Sequence, residues 1–587
     1  MLRNNNHINL QRSIVILSLG LFLNQTGMGQ TWIISPGSGV ISSGGKIALS
    51  GDVVNNGTII NNSNTFIFAG STQTLNGSSP VLFNNLNVES GSTTTITTAG
   101  QTLGGILLSN GILNADGNMT LLSTAARTAL IDGSGTGQVL GNVTMQRYLP
   151  SGFGYKYFSS PFQGATVNEF GDDMNLLVAF PSVYSYDESR TSSGWVSYIN
   201  PAGPLNLFQG YAVNFGSSSL PVTADVTGVV NNGSLSVTLY NHNNLYTKGF
   251  NLAGNPYPSP IDWNASSGWT KTNIDNSLYF FKASDTDQYG GVYSTYISGV
   301  SSDGIANNII PSMQGFFVHV SDGPPTITGT LALNNSVRVN DAAHPFAKSA
   351  LGASPQPYIR LAAGYSDDNL SYDPLCIYFD IKATYNFDGQ YDAYKLFNTD
   401  MSVTNYYSFG NDGSRLSIDA LPLNDDSFCK VRLGLKTERS GDVIFMIKDI
   451  IGVFNYDYIS ITDVITGKTQ DLLSGQQYKV ILPAGDYQNR FFLNLSNIIT
   501  DIPDVVPETD WFNIYSSKGI LKAEINLPAC ENGALKIHNL TGQTLYIYEI
   551  NQPGYHEFTP VIKTGIYIVT FTAGKMMVSK KIFIQSQ

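Results

Sequence analysis

Chemistry in this chain has few possible carriers. The six histidines, His7, His242, His319, His344, His538 and His556, are scattered, and no two stand at the spacing of a metal-ligating pair. His319 falls in an apolar run and reads as a structural residue. Gly133-Ser134-Gly135 sets a serine in a glycine-rich turn, not on the strand-to-helix elbow that exposes a nucleophile. No glycine-rich phosphate loop precedes a helix. Oxygen ligands gather in two turns, Asp285-Thr286-Asp287-Gln288-Tyr289-Gly290 and Asp367-Asp368-Asn369. Asp285 and Asp287 are weak calcium candidates, because the turn lacks the downstream glutamate of an EF-hand and Asp or Asn stabilises a turn without metal. Trp195, Trp263 and Trp269 are candidates for stacking sugar rings, and the competing reading has them plugging the ends of sheets. A glycosidase carboxylate pair draws its partners from distant positions, and nothing here singles one out. No catalytic residue, metal or cofactor is assigned, and the chain reads as a non-enzyme.

Composition explains why sheets must position whatever site there is. Of 587 residues, 58 are Gly and only 13% are charged, and 32 Tyr and 30 Phe stand against 5 Trp. Gly, Asn, Ser and Thr dominate the polar positions, which suits turns and uncharged strand faces of an all-β protein. A net charge of -12 and no lysine or arginine run argue against nucleic acid. Cys376, Cys429 and Cys530 are too few for a disulfide framework. Cys376 and Cys429 fall in one region and could pair, or all three pack as small hydrophobes.

Along the chain, residues 1–29 carry Arg3 and Arg12, then an apolar run from Ile14 to Leu23, then small residues at Gly27 and Gly29. That is a signal-peptide layout, with cleavage expected between Gly29 and Gln30. No later run is long and apolar enough to be a transmembrane helix. Residues 30–147 repeat short alternating runs between Gly/Asn turns, among them Phe83-Asn84-Asn85-Leu86-Asn87-Val88 and Gly105-Ile106-Leu107-Leu108. Each is too short to bury its own apolar face, so stacking into a β-solenoid is expected, with an irregular sandwich as the alternative. Residues 148–345 contain a duplication. The segment from Gly154 to Phe162 parallels that from Gly249 to Tyr257, Val183–Asp187 parallels Leu278–Lys282, and Gln209–Val213 parallels Gln314–Val318. Two β-units follow, paired in one body or set in tandem. Residues 346–356 read as a linker, 357–498 as a β-sandwich domain, 499–510 as a second linker and 511–587 as a compact Ig-like sandwich.

The last region carries the most specific pattern. Leu535-Lys536-Ile537-His538 runs into the turn Thr541-Gly542-Gln543 and returns through Leu545 and Ile547 as a hairpin, with Leu535, Ile537, Leu545 and Ile547 as its apolar positions. Gly565-Ile566-Tyr567-Ile568-Val569, Gly574 and Lys580-Lys581-Ile582-Phe583-Ile584 follow. This set resembles the C-terminal sorting domain of type IX secretion substrates, and residues 387–395 with Arg490-Phe491 resemble the β-domain that often precedes it. The resemblance implies Gly542, Gly565, Tyr567, Gly574, Lys580 and Lys581 as the sorting signal. It implies the type IX outer-membrane machinery as partner, and a location that is extracellular or on the outer-membrane surface, reached through the periplasm.

The function expected is that of an exported structural or adhesive β-protein, with glycan or protein as the ligand. A glycan-binding protein for polysaccharide capture is the first alternative, and a secreted glycoside hydrolase the second.

Overall fold

The computed structural model describes residues 29–586, except 43, 62, 179, 325, 343–355, 367–371, 424–427, 454–455, 497–511, 526–532, 553 and 574–575. The signal-peptide core, both linkers for the most part, Asp367, Asp368, Cys530 and Gly574 lie outside the described residues. The protein is all-β, and among the described residues two short 3-10 turns stand at Val167–Phe170 and Asn335–Val337. Two compact units are defined: residues 1–459 with 471–489 and 493–497, and residues 460–470 with 490–492 and 498–587.

The first unit begins with a parallel β-solenoid of about five turns. Thr72 pairs with Thr93, Thr93 with Ile112 and Ile112 with Gln138, a repeat of roughly 20 residues. Because side chains alternate, every second residue stacks in a column inside the coil. Phe83, Leu103, Leu121 and Met145 form one such column, and Phe66, Leu86, Leu107 and Ile131 another, all buried. At the corners, buried amides take up backbone groups that the turns leave over. The Gln73 amide accepts from the Gly70 N–H at 2.6 Å and donates to the Gly51 carbonyl at 2.7 Å, and Gln101 accepts from Val81 N–H at 2.8 Å.

The strand Asn142–Leu149 closes the solenoid and opens the next body. On one side Thr144 and Met145 pair in parallel with Thr120 and Leu121; on the other the whole strand pairs antiparallel with Val222–Val230. The sequence boundary at 147 therefore falls inside a continuous strand. The duplicated units each include a strand before the motif that reveals them. Asn142–Leu149 with Val222–Val230 corresponds to Leu235–Asn241 with Ile327–Leu333, and Tyr155–Ser159 with Gly210–Asn214 corresponds to Phe250–Gly254 with Gly315–His319. Gly154 and Gly249, at the same turn in each copy, share φ 74°, a left-handed conformation that favours glycine. A tight entry before Gln-Gly is also duplicated, with Phe208 at φ 62° and Met313 at φ 58°.

The copies are paired in one body. Phe158 bridges to Gln314 and, in the equivalent place, Ala253 bridges to Gln209, so an approximate two-fold relates them. The approach is close: a Cβ on Gly254 would lie 2.2 Å from the Ser159 Cβ. The third region of this unit is built on an 11-stranded sheet, part of whose order is Tyr478–Leu482, Gly441–Ile451, Tyr358–Tyr365, Tyr372–Asp380, Arg415–Pro422, Asn405–Phe409, Phe428–Thr437. It curls on itself as a sandwich does, so that Tyr406 meets Phe445 edge-on at 5.6 Å. Strands Tyr372–Asp380 and Arg415–Pro422 run parallel within it.

In the second unit, Phe512–Ser517, Ile520–Ile525 and Gly554–Phe558 pack against a sheet ordered Thr544–Ile550, Gly533–His538, Gly565–Ala573, Met576–Ile584. The expected hairpin is present. One part of the reading is corrected: Leu535 and Ile537 are buried, but Leu545 is 36% and Ile547 60% exposed, and Tyr546 and Tyr548 pack against the core instead. The register shifts between Ile537 and His538, and a one-residue slip exchanges the faces of the returning strand.

Candidate functional site

An open, uncharged strand face stands out in the second copy. On Leu235–Asn241 the core takes Leu235, Val237 and Leu239, which turns Ser236, Thr238 and Tyr240 to solvent. Across the ladder these residues oppose Ala332, Thr330 and Thr328, and Thr270 and Thr272 lie beyond. Every polar group of this face is thus a hydroxyl, and Tyr240, 45% exposed, stands at its rim.

Beside Tyr240 rises a loop that the first copy lacks in this form. The second copy runs from His242 to Lys248 where the first has only Pro150 to Phe153. The loop presents Leu245, 74% exposed, and Tyr246, 67% exposed, yet its backbone is held from below. The buried Glu188 carboxylate, from the first copy, accepts from His242 N–H at 3.2 Å and Gly249 N–H at 3.1 Å, and contacts His242 Nδ1. Thr247 Oγ1 donates to the Glu188 carbonyl at 2.7 Å. Exposed aromatics on a held loop beside a field of hydroxyls suit a ligand that offers both C–H faces and hydroxyls, because little loop freedom is lost on contact.

The expected tryptophan platform is not assembled. Trp263 is 1% exposed, 4.9 Å from Trp269, with the Lys271 ammonium 3.6 Å over its ring, so no face remains for a sugar. Trp269 is half-buried and donates from Nε1 to the Asp262 carbonyl at 2.7 Å. Trp195 belongs to a different cluster, 5.0 Å from Tyr186 and 5.9 Å from Phe317. The reading in which aromatics fill the sheets wins at Trp263, since burying so large an indole stabilises the core more than exposing it would.

Asp287 closes its own turn by accepting from Tyr289 N–H at 2.9 Å, while Asp285 points to solvent. Among the described residues no group of three His, Cys, Asp or Glu is placed to hold a metal. Also among the described residues, no helix is long and apolar enough to cross a membrane. No disulfide joins Cys376 to Cys429; Cys376 is a buried thiol, and burial pushes its pKa up to about 12 against the opposing pull of Arg360. Of the sorting-signal residues, Gly542 sits in its turn at φ 84°, Gly565 opens its strand, and the Tyr567 hydroxyl donates to the Lys563 carbonyl at 2.6 Å. Lys580 is half-buried and Lys581 is exposed opposite Ile568. Gly29 and Gln30 lie against Ser50 and Gly51.

Three buried ionisable pairings are not legible in the sequence because the partners are far apart in the chain, although His319 itself reads there as structural. His319 Nδ1 meets Asp275 at 2.5 Å, and Ser321 Oγ donates to the same carboxylate at 2.6 Å. His319 is 1% exposed, so this dyad holds a corner of the sheet and has no access to a ligand. Lys395 and Asp373 form a buried ion pair at 2.7 Å. Asp392 and Asp419 are a buried carboxylate pair. Burial, with the Asp419 charge, raises Asp392 to about 8 although the Ala420 and Asp388 N–H groups oppose the shift; burial raises Asp419 to about 6.

A family profile described as a domain of unknown function (DUF8693) matches residues 55–495. The chain belongs to that family. The DUF8693 region starts within the solenoid, crosses the shared strand Asn142–Leu149 and both copies, and reaches Gly485–Ser496. The whole hydroxyl face and its aromatic loop lie inside the DUF8693 region. No curated protein matches the chain.

Proposed function

We propose that this protein is an exported structural or adhesive protein of the cell surface, which contacts neutral polysaccharide through the second copy's hydroxyl face. The reading rests on one observation: an open face whose polar groups are all hydroxyls, rimmed by Tyr240 and by Tyr246 on a loop clamped by Glu188. Sugar hydroxyls exchange bonds with Ser and Thr, and sugar C–H faces pack on tyrosine. Polysaccharide capture is the same chemistry turned to uptake, and the face supports both uses. The continuous strand between solenoid and duplicated body suits a structural role, because a pull on one is borne by the ladder of the other.

Binding of the purified chain to a panel of insoluble and arrayed glycans tests the contact. Tyr246→Ala and Tyr240→Ala each weaken binding about tenfold, consistent with loss of one stacking contact, while Trp263→Phe leaves affinity unchanged. Equal binding by both tyrosine variants at unchanged Tm would sink the reading.

Export through the type IX machinery is the accompanying proposal, supported by the N-terminal layout and by a compact sandwich over Phe512–Ile584 that carries Gly542, Gly565 and Tyr567. Removal of residues 511–587 leaves the protein in the periplasm, as read by fractionation and surface labelling. Normal surface delivery of the truncated chain refutes this route.

A further inference from the structure

The three-stranded sheet that bears the hydroxyl face has two lateral edges, and they are treated differently. On Trp269–Thr272, Lys271 points inward over Trp263. An inward charge on an edge strand discourages a further strand from adding. Leu235–Asn241, the opposite edge, carries Leu-Ser-Val-Thr-Leu-Tyr-Asn, with no charge, proline or glycine. Among the described residues no strand pairs with its outer side. An edge of this length and composition is an open template for another backbone.

The duplication shows what such an edge accepts. In the first copy the corresponding strand, Asn142–Leu149, meets its partner in the same way: Leu149 faces Val222 where Asn241 faces Ile327. Its outer edge is occupied by the solenoid strand Met119–Leu121, added in parallel, with Thr120 opposite Thr144 and Leu121 opposite Met145. Tyr148 N–H, also directed outward, donates to Ser123 Oγ at 2.9 Å. Tyr240 corresponds to Tyr148, and its carbonyl likewise points away from the partner strand, where it accepts from Asn251 Nδ2 at 2.9 Å. By alternation Ser236 and Thr238 present their backbone groups to the same open side.

We propose that Leu235–Asn241 is a docking edge for an extended, uncharged segment of another polypeptide, added in parallel as Met119–Leu121 is added in the first copy. The chain's own solenoid end cannot serve, because Asn142–Leu149 already covers it. Main-chain bonds to Ser236, Thr238 and the Tyr240 N–H supply the affinity, and the alternating side chains of the incoming strand supply the selection. Backbone pairing at the edge is separate from glycan contact on the face.

The experiment uses the full chain and, as probe, a synthetic capped peptide of residues 118–124 at millimolar concentration, with backbone amide exchange as readout. Exchange at Ser236, Thr238 and Tyr240 slows roughly tenfold with peptide. Thr238→Pro abolishes the protection at unchanged Tm, because the N–H it removes faces solvent and makes no bond within the sheet. Thr238→Lys, which keeps the backbone and adds a guarding charge, does the same if the proline variant folds poorly. Thr238→Val keeps the protection, which separates the edge from the hydroxyl face. The proposal is overturned by absent protection, by protection that survives both Thr238→Pro and Thr238→Lys, or by peptide-independent self-association of the chain through this edge.

Discussion

Among the described residues, the fold encloses a small set of charged side chains. Lys395 and Asp373 sit inside the curled third sheet with side chains 2% and 1% exposed, and Asp373 also accepts from Tyr406 N–H. Such a pair is costly to break from one side. Lys395→Met strands a carboxylate in the core and destabilises by about 3–5 kcal/mol, whereas Lys395→Met with Asp373→Leu recovers part of that loss. Chemical denaturation of the three variants measures both effects. Asp392 and Asp419 contribute a fall of stability with rising pH, which Lys271, lowered by burial to about 7, opposes above that value. Each carboxylate binds its proton more tightly folded than unfolded, so the stability they contribute is full below the ordinary carboxylate range. It is lost as pH rises, through about 6 for Asp419 and about 8 for Asp392. Tm of the wild type therefore falls by several degrees from about pH 5 to about pH 7, and Asp419→Asn flattens the lower part of that fall. A Tm that rises across this interval would contradict the assignment. These positions were not legible in the sequence, since Asp373, Lys395 and Tyr406 become neighbours only when the sheet curls.

At the scale of elements, the loop from His242 to Lys248 is the part most dependent on a single distant group. Glu188 satisfies His242 and Gly249 N–H from outside the loop. Glu188→Ala leaves buried donors unmet and costs about 2–4 kcal/mol. The loop then opens to protease at Leu245 or Tyr246 before the sheet unfolds, which limited proteolysis detects. Glu188→Gln keeps an acceptor and loses less. A sequence signal for this loop did exist: aligning the two copies shows the second to be longer between its first strand and Gly249. What that alignment could not show is which of the extra side chains the carboxylate pins and which it leaves in solvent. The hairpin of the second unit teaches the complementary lesson. Its strands and turn follow from alternation and Gly542, but a bulge beside His538 decides which alternate set is buried.

For the molecule as a whole, the shared strand Asn142–Leu149 joins solenoid and duplicated body into one cooperative structure. Met145 lies in the solenoid column below Leu121 and in the same core as Val226 of the duplicated body. Met145→Ala therefore costs about 2–5 kcal/mol and lowers the melting of both parts together. Calorimetry of residues 29–497 then shows a single main transition in wild type and variant. Separate transitions for solenoid and duplicated body would mean that the shared strand does not couple them.

The sequence by itself determined the all-β class, the stacked short strands of the solenoid and the duplication. These depend on local alternation, turn residues and repetition, which a chain carries whatever its surroundings. Only the tertiary structure decided that the copies face each other about a two-fold and that the solenoid's last strand is the first copy's first strand. It also decided that Trp263 is core, and that Ser236, Thr238 and Tyr240 are open. The reason is physical: burial and edge pairing depend on which surfaces meet, and in a sheet protein those meetings join residues far apart in the chain.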